Sequence, residues 1–350
     1  MAVGDTVAAE QPGFGVEAAA AWIARLGVGA VPPLSFSRIG GGRSNLTFEV
    51  DDAAGGRWVV RRPPLGHLLA SAHDVGREYH VLSRLSGTDV PAPAVLALCE
   101  DPLVSDSPLL LMEYVDGVVI DEAGAQALEP PARHAIGMAL PDALARVHEV
   151  DLDATGLSDF ASHGSYARRQ LKRWRRQWKG THTREVPAVD ELASRLERAI
   201  PEQREVTLVH GDFHMLNLIF DRLDPTVRAI LDWELCTLGD PLADLGGLLA
   251  YWPEPGESLA AGPFAVSVQP GFPTRRELAD AYARRTGRDI SALAFWETLA
   301  CWKVAVIAEG VRWRRLDEPA NMADEEELFD GTIADRMLER GLAVADAAGI

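Results

Sequence analysis

Cysteine is scarce: Cys99, Cys236 and Cys301 are the only three in 350 residues. They are scattered, odd in number and without metal-ligand spacing, so neither a disulfide framework nor a cysteine-built zinc site is expected. A reducing cytoplasm is the compartment this favours. Positive charge is also short, with Lys+Arg 34 against Asp+Glu 52 and a net charge of -18, which argues against general nucleic-acid binding. Long apolar runs are missing too. The stretch from Leu293 to Val311 is interrupted by Glu297, Lys303 and Glu309, and reads as a core helix, not a membrane span. Met1 to Gly15 carries acids and lacks the apolar core of a signal peptide.

What is present divides the chain in two. Val16 to Leu26 suits a short amphipathic helix. Phe36 to Val50 alternates as a strand, breaks at Gly40, Gly41 and Gly42, and resumes as a strand. Arg57 to Arg62 is a further strand, a helix begins near His73 with Tyr79, Leu82 and Leu85 on one face, and Leu109 to Gly117 is an apolar strand running into a turn. Past Gly117 helices dominate. The expected fold class is therefore α+β, with a small antiparallel-sheet lobe over residues 1–116 and a larger, mainly helical lobe over 117–350. Between Ala132 and Val150 the helical period meets Pro141, which predicts a kink or a fresh start. The Pro- and Gly-rich stretch from Pro253 to Pro273 reads as an ordinarily mobile loop, with a lid over substrate as the alternative.

Chemistry concentrates between residues 208 and 234. Leu-Val-His-Gly-Asp-Phe-His-Met-Leu-Asn places Asp212 five positions before Asn217, and Asp232 follows in Ile-Leu-Asp-Trp-Glu. Phosphoryl transfer asks mainly for positioning, neutralised phosphate charge and a proton acceptor. Asp212, on a loop and ionised near neutral pH, suits the base. Asn217 and Asp232 offer hard oxygen donors that suit Mg²⁺. Short strands at Val206–His210, Leu218–Asp221 and Val227–Leu231 would set both donors beside adjacent strand ends. The plainer alternative is that two acids and an Asn cap turns.

The same spacing occurs in the protein-kinase catalytic loop, H-R-D-x-x-x-x-N, followed by a metal-binding Asp. His210-Gly-Asp-x-x-x-x-Asn217 with Ile-x-Asp-Trp-Glu, then Gly239-Asp-Pro and Asp244-Leu, resembles the aminoglycoside phosphotransferase superfamily of small-molecule kinases. That resemblance implies a two-lobed, protein-kinase-like fold using ATP and Mg²⁺. It implies Asp212 as catalytic base, Asn217 and Asp232 as metal ligands, and His210 and Asp244 as braces of the loop. Gly40 to Gly42 would approach the phosphates, Arg61 would stand where kinases carry a lysine, Glu78 would pair with it, and Glu113 and Val115 would meet adenine at the hinge. The Arg61-Arg-Pro-Pro64 run, the Arg-Gln-Leu-Lys-Arg-Trp helix and the Leu-Gly-Asp-Pro-Leu-Ala-Asp-Leu run look most like the branch found with acyl-CoA dehydrogenases. This favours a hydroxylated acyl or CoA-linked acceptor.

Two charged tracts pull in opposite directions. Arg168 to Lys179 is a basic helix with Leu171, Trp174 and Trp178 on one face; it is either a packed face with a solvated cationic back or an attractor of anionic substrate. Asp317 to Asp330 is acidic, and reads as a helix start where carboxylates favour the dipole, or as a receiver of cationic sugars. Three other functions stay open: an aminoglycoside kinase, a catalytically silent nucleotide binder suggested by the missing lysine, and a metallohydrolase using His210, Asp212 and His214. The last leaves Asn217 and Asp232 unexplained, and His214 is read instead as a loop-packing or substrate-side residue.

Overall fold

The computed structural model describes residues 13–39, 45–64, 74–257, 259, 264–317 and 331–350. Gly40 to Gly42, His73 and the acidic tract from residue 318 to 330 lie outside the described residues. The chain divides into two compact units: residues 1–88, 92–116 and 231–234 form the first, and 89–91, 117–230 and 235–350 the second.

In the first unit, α1 (Val16–Arg25) is followed by β1 (Ser35–Ile39), β2 (Leu46–Asp51), β3 (Arg57–Arg62), α2 (Val75–Leu85), β4 (Val95–Cys99) and β5 (Leu109–Glu113). The strands form one antiparallel sheet in the order β1-β2-β3-β5-β4. Alternation along each strand divides the core in two, because successive side chains point to opposite faces. Phe48, Val50, Trp58, Val60, Leu109 and Leu111 pack on one face with Ile23 of α1 and Phe14. Leu110 and Met112 pack on the other with Val75 at the start of α2, where Val59 and Tyr79 join them. Asp74 caps α2, its carboxylate accepting the Arg77 N–H.

The second unit holds α3 (Glu122–Ala127), α4 (Pro130–His148), α5 (Leu152–Thr155), α6 (Tyr166–Thr181), α7 (Pro187–Arg198), β6 (Thr207–Val209), β7 (Leu218–Phe220), β8 (Val227–Ile230), β9 (Thr237–Gly239), α8 (Leu242–Ala250), α9 (Arg275–Thr286), α10 (Leu293–Asp317) and α11 (Thr332–Ala348). Long α10 packs against α6, α7, α8 and α11. Two small antiparallel ribbons, β6-β9 and β7-β8, carry the loops between them. No described helix is long and apolar enough to cross a membrane.

Of the two outcomes expected at Pro141, a kink or a fresh start, the fresh start is not found. Helix α4 runs through Pro141 as one element, although Pro141 has no N–H to give the Gly137 carbonyl. Gly137 lacks a Cβ, and one there would lie 2.4 Å from Pro273, so this turn of α4 is held tightly against Pro273 and Trp252. Tertiary packing outweighs the local cost of proline. The loop from 253 to 273 is also more anchored in its described part than its composition suggests. Ala265, Val266 and Ser267 are buried, the Ser267 hydroxyl donates to the Pro253 carbonyl at 2.7 Å, and Arg133 reaches the Pro270 carbonyl at 2.8 Å.

Candidate functional site

Period two decides which arginine of β3 meets which partner. Arg61 shares the face of Val59, turned to α2, and Arg62 shares the opposite face with Trp58 and Val60. Arg61 Nη1 accordingly lies 3.0 Å from Glu78 Oε1, and its Nη2 pairs with Asp232. Arg62 is buried and donates to Asp106 at 2.8 Å; a Cβ on Gly13 would collide with its guanidinium. Arg61 is therefore the functional candidate and Arg62 a packed structural cation.

Around Arg61 the acids outnumber the cations. Burial pushes the Glu78 carboxyl up to about 7, with Arg61 opposing and Asp232 and Glu234 adding to the rise. Burial opposes the charge of Arg61, but the Glu78 and Asp232 carboxylates outweigh it and raise its pKa. The Trp233 N–H adds a 3.4 Å bond to Glu78 Oε1, and Asn45 Nδ2 donates to Glu234 at 3.0 Å. Among the described residues, Arg61 Nε, Glu78 Oε2 and Asn45 Oδ1 are buried without a hydrogen-bond partner. Buried polar atoms are normally paired, so this cluster has polar capacity left for a charged guest. Asp232 has φ 68°, a left-handed conformation that Asp tolerates better than most residues. Glu113 and Val115 sit at the end of β5 and just beyond it; Glu113 N–H donates to the Ala94 carbonyl at 2.9 Å.

In the second unit, the chain leaving β6 turns at Gly211, whose φ is 86° and whose Cβ would lie 2.6 Å from the Leu235 carbonyl oxygen. Only glycine fits there. Asp244, in the first turn of α8, holds this turn from below: Oδ2 accepts the His210 N–H at 2.6 Å and Oδ1 the Gly211 N–H at 2.8 Å. His148 Nε2 lies 3.3 Å from Oδ2, and its Nδ1 lies 2.6 Å from the Tyr282 hydroxyl. Burial would raise the Asp244 pKa, but His148, His210 and the Gly211 N–H hold it below the usual carboxylate range. Burial pulls His148 down despite Asp244, so the ring is neutral. It donates to Asp244 and accepts from Tyr282.

Asp212 is thereby fixed at the head of the turn. Tyr251 donates to its Oδ1 at 3.2 Å, and Asn217 Nδ2 lies 3.4 Å and His214 Nε2 3.5 Å from its Oδ2. Burial would raise its pKa, but its neighbours, His214 first and then Lys303 and His210, outweigh it and hold it well below the ordinary range. Lys303 Nζ donates to the Gly211 carbonyl at 2.5 Å and lies 5.6 Å from the centre of the Trp174 ring. Burial lowers its pKa, with Asp212 and Asp244 opposing. Beside Asp212 lies a tight recess of about 30 Å³, walled by Tyr166, Trp174, Trp296, Leu299 and Val304 and reached by Lys303.

Asn217 ends the short 3-10 turn Met215–Asn217. Its Nδ2 donates to the Asp212 carbonyl at 2.9 Å, which orients the amide so that Oδ1 is the end a cation can use. Leu218 pairs with Ile230 across β7 and β8, so Asn217 stands at one end of that ribbon. An amide oxygen from Asn217 and a carboxylate from Asp232 are the hard donors Mg²⁺ prefers. The histidines fit a metal less well. His210 Nδ1 accepts the Asp212 N–H at 3.2 Å, and among the described residues no three His, Cys, Asp or Glu side chains are grouped to hold a metal. His214 is packed between Tyr251 and Phe264, with ring centres 4.7 and 5.8 Å away.

Sequence reasoning missed Lys303, Tyr251 and His148. Lys303 had a visible signal, a lone lysine inside an apolar helix; the other two have none, because only tertiary contact makes them relevant.

The model of the "Phosphotransferase enzyme family" matches residues 35–296. Acyl-CoA dehydrogenase family member 10 of Mus musculus is 36% identical over 317 residues, which is 90% of this chain and 29% of that protein's length. This chain thus spans under a third of that relative. A solved structure from Ralstonia eutropha JMP134, assigned to the aminoglycoside phosphotransferases, has TM-score 0.78 and 33% identity, covering 95% of this chain and 99% of its own. The structure of APH(2")-IIIa solved with GDP and kanamycin has TM-score 0.58 and 13% identity, covering 94% of this chain and 99% of its own, and shares the fold.

Proposed function

The chain belongs to the phosphotransferase enzyme family, and from that premise we propose that it transfers the γ-phosphate of ATP, with Mg²⁺, to a hydroxyl of a small hydroxylated acyl or CoA-linked metabolite. The observation that carries the reading is Asp212, ionised at neutral pH and held on a turn clamped from both sides, by Asp244 through two N–H groups and by Lys303 through the Gly211 carbonyl. Such a carboxylate orients a substrate hydroxyl and takes its proton as the new bond forms, an effect typically of about 10²–10⁴ in rate. Its depressed pKa makes orientation the larger part of its work. Asn217 and Asp232 would hold Mg²⁺, which supplies neutralisation of phosphate charge when bound. Arg61, oriented by Glu78, would clamp phosphate with a planar fork where kinases use a point-charged lysine. Glu113 and Val115 would offer backbone groups to the adenine.

The acyl preference rests on the family branch; the recess of about 30 Å³ beside Asp212 is too small to hold an acceptor and adds only the character of the nearby walls. Two tryptophans, Leu299 and Val304 beside a buried amine make a poor receptor for a polycationic sugar. Incubation with labelled ATP, Mg²⁺ and a metabolite extract, with Asp212→Asn as control, should yield a labelled product only with the parent protein. A second reading is favoured by the ion pair of Arg61 with Asp232, in which the phosphate clamp occupies a residue assigned to the metal. A silent nucleotide binder would show tight ATP binding and no product from any hydroxylated pool.

A further inference from the structure

Helix α6 has a face that this reaction does not use. At about 100° per residue, Tyr166, Gln170 and Trp174 fall on the side that lines the Asp212 recess. Arg168, Lys172, Arg175, Arg176 and Lys179 fall on the opposite side. There they form, with Glu197 of α7 and an apolar floor of Leu171 and Ile200, a groove of about 580 Å³. Arg175 pairs with Glu197 at 2.5 Å. The other four cations have no carboxylate partner among the described residues.

This is unusual for a chain with net charge -18. Acids are abundant, and several exposed arginines elsewhere take them, Arg204 with Asp289, Arg228 with Asp221, Arg285 with Asp142 and Glu149; what sets α6 apart is four cations without a carboxylate partner, among the described residues, gathered on one helix face. Like charges one turn apart destabilise a helix, so α6 concentrates repulsion that an anion would relieve. The spacing is i, i+4, i+7, i+8 and i+11, one cationic level per turn, with neighbouring levels about 5–6 Å apart. Two phosphate groups on one molecule can be met by adjacent levels, with arginine offering its fork to one of them. The volume falls in the range of small-molecule sites, roughly 300–1,000 Å³, and the apolar floor suits a ligand with a non-polar part.

Range decides between a compact ligand and a long polyanion. At physiological salt a charge is felt over about 8 Å, so a ligand inside the groove senses mainly its five cations. A nucleic acid or an extended acidic peptide would reach past it onto a strongly acidic protein. We propose that the α6–α7 groove is a binding site for a compact organic molecule carrying two or more phosphate groups, separate from the site of phosphoryl transfer.

The test is calorimetric titration of the full chain, with MgADP saturating so that nucleotide binding is already satisfied. Inorganic tripolyphosphate and adenosine 3′,5′-bisphosphate are the probes, against sulfate, polyglutamate and single-stranded RNA. The double variant Lys172→Gln/Arg176→Gln changes two exposed side chains, and should keep its Tm. Expected are one-to-one binding of the phosphorylated probes and a weakening of about tenfold or more in the variant. Equal binding by the variant, sulfate binding as tightly as tripolyphosphate, or tighter binding of RNA or polyglutamate would each overturn the proposal. Should the variant lose Tm, amine acetylation of the unaltered protein replaces it: tripolyphosphate should protect Lys172 and Lys179, and absence of protection overturns the proposal. None of these readouts uses turnover, so a failure here is distinct from a failure of the phosphotransferase reading.

Discussion

Asp244→Asn is the sharpest probe of how the catalytic turn is held. The change keeps shape and volume but replaces one acceptor oxygen with a donor amide. The carboxylate receives three contacts: His210 N–H at 2.6 Å and His148 Nε2 at 3.3 Å on Oδ2, and Gly211 N–H at 2.8 Å on Oδ1. The amide nitrogen is best placed at the Oδ1 position, where it sacrifices one contact instead of two. The Gly211 N–H then faces another donor in a buried site. A hydrogen bond to a charged group is worth about 1.5–3 kcal/mol, and leaving a buried donor unpaired adds roughly 1–3 kcal/mol. Relief of burying a charge offsets part of this, leaving a net loss of about 2–3 kcal/mol. For a unit of this size that lowers Tm by roughly 4–12 °C. Turnover should fall further than stability suggests, by about 100-fold at a temperature where the variant is fully folded, because a small displacement of Asp212 spoils the alignment of the reacting groups. Thermal unfolding followed by circular dichroism, together with kcat measured well below Tm, gives both quantities. A variant with unchanged Tm and unchanged kcat would show that Asp244 does not hold the turn.

Asp212→Asn should lower kcat by about 10²–10⁴ and leave the Kd for MgATP within a factor of about two; an equal loss in both would make Asp212 a binding residue. Arg61→Met strands Glu78 in the core beside Asp232 and should cost about 3–5 kcal/mol, with Arg61→Lys recovering much of it; denaturant titration distinguishes the two, and equal stability of both variants would refute the pairing. Glu78 provides a signed pH test. Its carboxyl is raised from 4.5 to about 7 in the folded protein, so its contribution to stability is complete below about pH 4.5 and is lost as pH rises through about 7. Glu78→Gln should flatten the stability profile over that window, and a slope unchanged by the substitution would contradict it. Asp212 has the opposite sign: its depressed pKa keeps it ionised as pH falls, so kcat/KM should show no acid limb at the ordinary carboxylate range near 3.8.

Elements and chemistry were legible where the signal is local. Period two marked β1 and β2, a continuous apolar run marked β5, the helical period marked α2, α6 and α10, and eight residues from His210 to Asn217 with Asp232 nearby carried the pattern of a phosphotransferase. That pattern needs no fold to be seen, because the proposed acid, amide and second acid lie close together in sequence. Local reasoning failed where packing governs. Pro141 lies within α4 one turn after Gly137, which packs against Pro273, a contact across more than a hundred residues that no window of sequence contains.

The sequence by itself determined the family, the antiparallel and helical halves of the fold, and the class of chemistry. Tertiary structure alone decided between neighbours: Arg61 faces Glu78 and Asp232, and Arg62, one residue on, is buried against Asp106. It also brought Lys303, His148 and Tyr251 to the turn, from 92 residues away in the case of Lys303 and Gly211. Spacing along the chain fixes which groups a reaction has at hand. Burial, the direction of each side chain and the charges set beside it fix which of them are ionised and where they point, and those are properties of the packed molecule.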